Sequence, residues 1–246
     1  QVINEILFNV PGEDTGREYI ELRSAPNSVI ENGTYLAVVE GDANGGMVKM
    51  VFDLGGLQYG SNGYLVLLQK DSPYKPLVDP ASAVYEAKIN GWRDARITIQ
   101  GFTEINLEDG SQTYMLLRAP SKPVLGADID ADNDGTPDGA MFASWDVLDS
   151  IGFIDGQAGD QAYGAINFLT NGLGLVPAGS VVVSSGPVAL NYLGRNLNST
   201  GSAASAWIGG VISTGVGPIW NLSSTTPGTF ANRPLDHLGS LNFDQR

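Results

Sequence analysis

The sequence predicts an all-β fold, a sandwich or barrel with loop insertions, and three observations support this prediction. Short runs rich in β-branched and aromatic residues recur between Gly, Asn, Asp and Pro along the 246 residues, which is the pattern of strands and turns. In REYIELR, Tyr19 and Glu21 alternate with Ile20 and Leu22, as in a sheet with one solvated face. No segment keeps a helical apolar period for more than about three turns.

Ten segments carry the strand pattern, each bounded by residues that favour turns. In chain order they are residues 2–10, 17–24, 34–41, 47–54, 64–69, 83–89, 95–102, 113–119, 147–153 and 180–185. One short helix is predicted, at Phe142–Val147. From about residue 175 to 246 the chain is rich in Gly and Ser, and we predict coil there, pinned by burial of Trp207, Trp220 and Phe230.

Charge and composition disfavour several classes of partner. The chain has a formal net charge of −14 and a pI near 4.2, so that most of its surface repels a polyanion and nucleic acid is not an expected partner. No run reaches the roughly 18 consecutive apolar residues that a membrane-spanning helix needs. We therefore predict no nucleic-acid partner and no membrane span.

The ends of the chain and its lack of cysteine predict an exported protein. The chain begins at Gln1 without a basic and apolar leader, which is typical of a processed N-terminus. It has no cysteine, whereas eukaryotic secreted proteins of this kind often carry disulfides. We expect a bacterial protein that is secreted or lies at the cell surface.

The most specific motif is the acidic segment ADIDADNDGTPDGA, residues 127–140. Counted from Asp130, carboxylates fall at positions 1, 3, 5 and 9 and Gly135 falls at position 6, which is the spacing of a calcium loop. Glycine suits position 6 because the loop reverses there through a left-handed backbone. The predicted Ca²⁺ ligands are Asp128, Asp130, Asp132, Asp134, Asp138 and the backbone carbonyl of Thr136.

Position 12 of this loop departs from the motif. It is Met141 instead of a bidentate glutamate, so the ion needs another ligand, and the nearest candidates are Asp128, Asp146 and Asp149. Without a replacement we expect a weak, extracellular-type affinity of about 10⁻⁴ to 10⁻³ M. The alternative is a solvated acidic loop in which Asn-Asp-Gly makes a turn and no ion is bound.

Two resemblances to known families extend these predictions. The loop resembles the DxDxDG calcium loops of thrombospondin type 3 repeats and dockerin-like segments, in which the ion organises a loop and does no chemistry. VINEILFNVPGEDTGREYIEL, Val2–Leu22, resembles the opening of the lamin-tail domain family, with its xINEI strand, tight turn and EYIEL strand. NGTYLAVVEG, YGSNGYLVLLQ and LEDGSQTYMLLRA are similar to later strands of that family, so the resemblance covers about residues 1–120.

The lamin-tail resemblance implies an immunoglobulin-like β-sandwich that serves as a binding or scaffolding module in secreted and cell-surface bacterial proteins. It brings no catalytic residue. We predict one domain over residues 1–246, with the calcium loop as an insertion at about 126–140 and the Gly/Ser-rich segment at about 175–246. The glutamates of the motif, Glu5, Glu18 and Glu21, are expected on strand faces as cross-strand partners of Arg17 or Arg23.

Catalytic motifs are scarce in the sequence. His237 is the only histidine and there is no cysteine, which excludes His-dyad and cysteine nucleophile chemistry within one chain. A triad of a serine with His237 and Asp236 or Asp244 is formally possible, but a lone histidine is more often a surface or packing residue. The tryptophans could stack on sugar rings, although core positions are favoured for them; they are Trp92, Trp145, Trp207 and Trp220.

Three functions therefore stay open. The first is a non-catalytic, calcium-stabilised module that binds a surface polymer or a protein outside the cell. The second is a self-assembling subunit of an extracellular filament or layer, joined through its N-terminal strand or its Gly/Ser-rich segment. The third, with no dedicated motif, is a calcium-dependent hydrolase that uses paired carboxylates.

Overall fold

The computed structural model describes residues 1–10, 12–42, 45–101, 105–187, 190–212, 219–220, 222–224, 233–234 and 238–242. This part of the chain is built almost entirely of β-strands, with a single five-residue α-helix, α1 (Gly139–Ala143). The strands are β1 (Val2–Leu7), β2 (Tyr19–Arg23), β3 (Thr34–Glu40), β4 (Val48–Asp53), β5 (Tyr64–Leu68), β6 (Ala83–Glu86), β7 (Ile97–Ile99), β8 (Gln112–Arg118), β9 (Asp146–Ile154), β10 (Ile166–Leu169), β11 (Val181–Ser184), β12 (Tyr192–Arg195), β13 (Trp207–Ile212), β14 (Ile219–Trp220), β15 (Leu222–Ser224) and β16 (Arg233–Pro234).

Two seven-stranded sheets contain all but two of these strands. The first sheet has the order β15-β13-β12-β1-β2-β5-β6, and the second has the order β11-β10-β9-β8-β3-β4-β7. Most neighbours are antiparallel, but β9, β10 and β11 run parallel and align Ile151 with Ile166 and Val181, in steps of 15 residues. β5 and β6 are also parallel.

The all-β prediction is confirmed, and each of the ten predicted segments overlaps a strand. The stacked parallel strands β9–β11 are more like a short β-solenoid than an immunoglobulin sandwich. The physical reason is that each connection, residues 155–165 and 170–180, is long enough to carry the chain back to the end of the sheet where the previous strand began, so that the next strand adds in the same direction. No helix in the described part of the chain is long and apolar enough to cross a membrane.

The main core lies between the two sheets. Inward side chains of the first sheet, such as Ile20 and Leu67, pack with those of the second, such as Leu36 and Phe168. Trp92 is completely buried in this core. Burial of a large apolar side chain of this kind contributes about 1.5–3 kcal/mol, so the inner faces supply most of the stabilisation.

A buried ion pair joins the sheets at one end. The Nη2 of Arg195, on β12, donates to Oδ2 of Asp149, on β9, at 2.6 Å. The same carboxylate oxygen accepts the backbone N–H of Ile3 at 2.8 Å, and the guanidinium lies 4.4 Å from the ring centroid of Trp207. Arg195 is fully buried, and removing one partner of such a pair leaves an uncompensated charge, which costs about 3–5 kcal/mol.

The central strands of both sheets are also covered on their outer faces, which corrects the prediction of one solvated face, whereas Val84 on β6 and Val182 on β11 are exposed. On β2, Tyr19 and Glu21 are completely buried although they alternate with Ile20 and Leu22. Leu238 and Tyr74 pack with Tyr19 over this face. The alternation in REYIELR therefore separates two buried environments, one apolar and one mixed.

The C-terminal third also differs from the prediction of coil. It contains β11, β12 and β13, and Trp207 is buried as predicted; the side chain of Trp220, and Phe230, lie outside the described residues. The predicted helix at Phe142–Val147 is shifted, since α1 ends at Ala143 and β9 begins at Asp146. β1 pairs with β2 on one side and β12 on the other, so the N-terminal strand is not free to join another chain.

Candidate metal centre

The acidic segment lies against the outer face of the second sheet. Ile129 is completely buried and packs in a cluster with Val39 and Met115 of that sheet. After the acidic loop, α1 places Met141 and Phe142 against the same cluster. The apolar residues on both sides of the loop thus anchor it, and the carboxylates between them are held at a fixed place on the sheet.

Within the loop, Asp130, Asp132 and Asp134 come together. One carboxylate oxygen from each lies within 4.8 Å of the other two. Asp130 is completely buried, and its two oxygens accept the backbone N–H groups of Asp134 (3.2 Å) and Gly135 (2.9 Å). Gly135 has φ +84°, the left-handed backbone that the reversal of the loop requires.

The negative charges of these side chains repel one another. The negative charge of Asp134 is the largest cause that raises the pKa of Asp132, with smaller contributions from Asp138 and Asp130. Burial, followed by the charge of Asp130, raises the pKa of Tyr163. The Tyr163 hydroxyl lies 3.1 Å from Oδ2 of Asp130. A divalent cation among the three carboxylates would relieve this repulsion.

The carboxylates of Asp128 and Asp138 are not part of this three-carboxylate cluster. Oδ1 of Asp128 accepts the N–H of Asp130 at 2.8 Å, so this residue braces the loop. Thr136 donates its N–H to Oδ1 of Asp134 at 2.8 Å. Asp138 is exposed and precedes α1.

Asp149, one of the replacement ligands expected for position 12, is held by other groups. Asp149 is engaged by Arg195 and by the N–H of Ile3, so it is not available to the loop. Met141, at position 12 itself, packs against the apolar cluster on the sheet. That position therefore serves to anchor α1, which explains why an apolar residue stands there.

A second acidic cluster was not predicted from the sequence. Carboxylate oxygens of Asp42, Asp155 and Asp160 also lie within 4.8 Å of one another. Ser111 links them, because its Oγ donates to Asp160 at 2.8 Å and its N–H to Asp42 at 3.0 Å. Burial is the main cause that raises the pKa of Asp160 to about 6. Local motifs could not find this cluster, since Asp42 is far in the sequence from Asp155 and Asp160.

Gln161 connects the two clusters. Its Nε2 donates to the backbone oxygen of Asn133, in the acidic loop, at 3.1 Å, and its backbone N–H donates to Gly41, beside Asp42, at 2.7 Å. An open cleft of about 530 Å³ lies between them, with Asn133 and Asp160 in its lining. No motif in the sequence marks Gln161 or Tyr163 as part of the site.

The glutamates of the N-terminal motif are buried, which corrects the prediction that they face Arg17 or Arg23. Glu5 accepts hydrogen bonds from the hydroxyls of Tyr19 and Tyr192. Oε2 of Glu18 accepts from Trp92 (2.7 Å), Gln69 (2.8 Å) and the Leu107 N–H (2.9 Å). Polar donors on the covered faces thus replace the expected arginines.

The described tryptophans are not placed for stacking on a sugar. Trp92, Trp145 and Trp207 are all buried, in agreement with the core positions favoured for them. His237 and its possible partners Asp236 and Asp244 lie outside the described residues.

No family model matches the chain, and the searches of curated proteins and of solved structures gave no match either. A function for this chain is therefore inferred from the arrangement of the site.

Proposed function

We propose that the chain is a non-catalytic β module that binds calcium through its acidic loop and acts outside the cell in binding or scaffolding. The observation that carries this proposal is the convergence of Asp130, Asp132 and Asp134, with oxygens within 4.8 Å of one another, on a loop with the spacing of a calcium site. The proposed role of the ion is to fix the loop and α1 on the second sheet.

The chemistry of the donors favours calcium. All three clustered groups are carboxylates, which are hard oxygen ligands, and Ca²⁺ takes six to eight oxygens in flexible geometry. Thr136 at position 7 would add a backbone carbonyl, and water would complete the shell. With no glutamate at position 12, we expect an affinity in the weak range of about 10⁻⁴ to 10⁻³ M, which suits the calcium concentrations found outside cells.

The type of domain and its place outside the cell are inferred from the sequence. We infer membership of the lamin-tail type from the xINEI and EYIEL strands, and a place outside the cell from the secreted and cell-surface bacterial proteins in which that type of domain is common. The partner would be a surface polymer or another protein. The proposal assigns no catalytic residue, and a carbohydrate array tests the polymer as a partner.

Thermal melting in EGTA and in CaCl₂ tests calcium binding. At a calcium concentration tenfold above Kd, mass action stabilises the folded state by about 1.4 kcal/mol, which for a chain of this size raises Tm by about 3–6 °C. The double variant Asp132→Asn, Asp134→Asn should lose this increase. MgCl₂ at the same concentration should give a smaller one, because Mg²⁺ demands a tighter octahedral shell.

Two control variants make the test specific. Asp71→Asn changes an aspartate whose side chain is 81% exposed and which lies outside both clusters, and it should keep the full calcium response. Asp42→Asn, in the second cluster, should keep it as well. If Asp42→Asn abolishes the response while the loop variant retains it, the assignment to the loop is wrong.

A further inference from the structure

An open cleft of about 760 Å³ lies beside α1, where β10 and β11 begin. Its lining comes from Thr136 and Phe142, on the acidic loop and α1, from Ser150 and Ala165, on β9 and just before β10, and from residues 200–202, before β13. This volume is within the range of about 300–1,000 Å³ that ligand sites occupy. The cleft therefore has the size of a binding site, and none of the acidic-loop carboxylates is in its lining.

The lining carries one charged side chain, and that charge is already paired. Asp149 accepts from Arg195 at 2.6 Å and from the N–H of Ile3 at 2.8 Å. Two other clefts differ, since acidic side chains line one of them and lysines together with acidic side chains line the other. An anion is repelled by the adjoining acidic loop and by a net charge of −14. The cleft beside α1 therefore suits an uncharged ligand.

Hydroxyl groups supply most of the polar side chains of this lining. They belong to Thr136, Ser150, Ser180, Thr200 and Ser202. Ser150 is only 5% exposed, and its Oγ accepts the N–H of Ala165 at 2.9 Å. Its own hydrogen has no acceptor among the described residues, so it is available to a ligand. Because each hydroxyl both donates and accepts, the matching ligand is one that carries many hydroxyl groups of its own.

Phe142 adds an aromatic ring to the cleft. It is half-buried, whereas Tyr163, the other aromatic residue of the lining, is buried. Trp145 packs edge-on against Phe142, with 5.7 Å between ring centroids, and this contact holds the ring in place. The face of an aromatic ring is negative, so it attracts the C–H bonds on the face of a sugar ring. An uncharged ligand with many hydroxyls and an apolar C–H face is a saccharide.

A peptide fits this cleft less well. The strand residues of the lining lie on β8, β9 and β11. β8 and β9 are paired on both sides, and Val181 on β11 donates its N–H to Ala165, so an extended peptide finds no free backbone ladder there. Proline-rich and phosphorylated peptides are recognised by aromatic-lined grooves and arginine clusters. The described lining has one half-buried aromatic ring and no arginine.

We propose that the cleft beside α1 binds an uncharged saccharide, with Ser150 and the neighbouring hydroxyls bonding to its hydroxyl groups and Phe142 packing on its ring face. This assignment rests on the binding role proposed above, and it gives that role a site and a class of partner, a neutral surface polysaccharide. Since no acidic-loop carboxylate lines the cleft, the calcium ion is not a ligand of the saccharide.

Saturation-transfer-difference NMR of the full chain tests the proposal with four neutral probes: cellotetraose, xylotetraose, mannotetraose and N-acetylated chitotetraose. At least one of them should bind with a Kd of about 1 mM or tighter. Tetragalacturonate, which is anionic, should not bind, because the acidic loop and the net charge repel it. A tetralysine peptide serves as the cationic alternative, and it should not bind in the cleft.

Three variants locate the site. Ala165→Leu enlarges an exposed side chain in the lining, and it should raise Kd about tenfold or more by occupying space that the ligand needs. Phe142→Leu keeps an apolar side chain on the sheet but removes the ring, and it should raise Kd about two- to tenfold. Ala25→Leu is the matched control, because Ala25 is exposed and lies outside the lining, and it should leave Kd unchanged. Circular dichroism and thermal melting establish that each variant is folded.

Any of four results overturns the proposal. None of the four neutral probes binds, or both cleft variants bind as the wild type does while they remain folded, or Ala25→Leu weakens binding as much as Ala165→Leu does, or tetralysine binds in the cleft in place of the saccharides. The response of Tm to calcium is measured separately. If that response is present and no saccharide binds, the cleft assignment alone is wrong. If a saccharide binds and calcium leaves Tm unchanged, the calcium site alone is wrong.

Discussion

At the scale of single residues, Glu21 shows how far this protein departs from the rule that carboxylates face water. Its side chain is completely buried, and its oxygens accept hydrogen bonds from Asn4 and from the N–H of Gly239, both at 2.5 Å. Burial, followed by the charge of Glu5, raises the pKa of Glu21 well above its ordinary value of 4.5. The native state therefore binds this proton more tightly than the unfolded chain does.

This pKa shift predicts a pH dependence of stability. The contribution of Glu21 to the free energy of unfolding is fully present below pH 4.5 and is lost as the pH rises through the raised pKa of the folded state. Glu21→Gln keeps the shape of the side chain but has no charge to lose, so its stability should fall less between about pH 5 and 8. Urea unfolding across this range measures the difference.

An exposed glutamate gives the control for this prediction. The side chain of Glu31 is 68% exposed beside Arg118, so Glu31→Gln should follow the wild-type pH profile. Parallel profiles for wild type and Glu21→Gln would mean that Glu21 has the same pKa in the folded and unfolded states, and that burial does not raise it.

At the scale of elements, the acidic loop depends on the backbone at Gly135. A Cβ added there would lie 2.8 Å from Cβ of Leu175 and 3.4 Å from the backbone nitrogen of Val176. The close contact comes in addition to a left-handed φ of +84°. The loop therefore has room for glycine alone at its point of reversal.

Gly135→Ala should destabilise the protein by about 2–4 kcal/mol, the sum of a left-handed backbone and an overpacked side chain. Gly139→Ala is the matched control, because Gly139 has φ +80° but a Cβ there would meet nothing within 4 Å. It should cost only about 1–2 kcal/mol. Denaturant midpoints compare the two, and equal losses would show that contact with Leu175 is unimportant.

The elements also show where sequence patterns succeed and where they fail. The sequence predicts strands such as β3 and β8 because short runs rich in β-branched, aromatic and other apolar residues lie there between turn residues. β13 was missed because its glycines suggested coil. A Cβ at Gly209 would lie 2.5 Å from Leu190 and 3.0 Å from Phe168, so glycine there permits two layers to approach closely. The same composition that predicts coil can therefore mark tight packing.

At the scale of the whole molecule, the central strands of the two sheets are covered on their outer faces by segments remote in sequence. The acidic loop covers the second sheet, and residues 238–242 cover the first through Leu238 and the bond from Gly239 to Glu21. Pairwise patterns within a strand cannot reveal such covers. For the same reason the sequence predicted the Asp130 loop, whose ligands are close neighbours, but not the cluster of Asp42, Asp155 and Asp160.

Hydrogen exchange of backbone amides, followed by mass spectrometry, tests the central claim that an ion holds the acidic loop on the second sheet. In about 5 mM CaCl₂, above the weak affinity range expected here, peptides from residues 127–145 should exchange more slowly than in EGTA. Peptides from β1, which is paired on both sides, should be unchanged. Equal exchange of residues 127–145 in calcium and in EGTA would contradict the account.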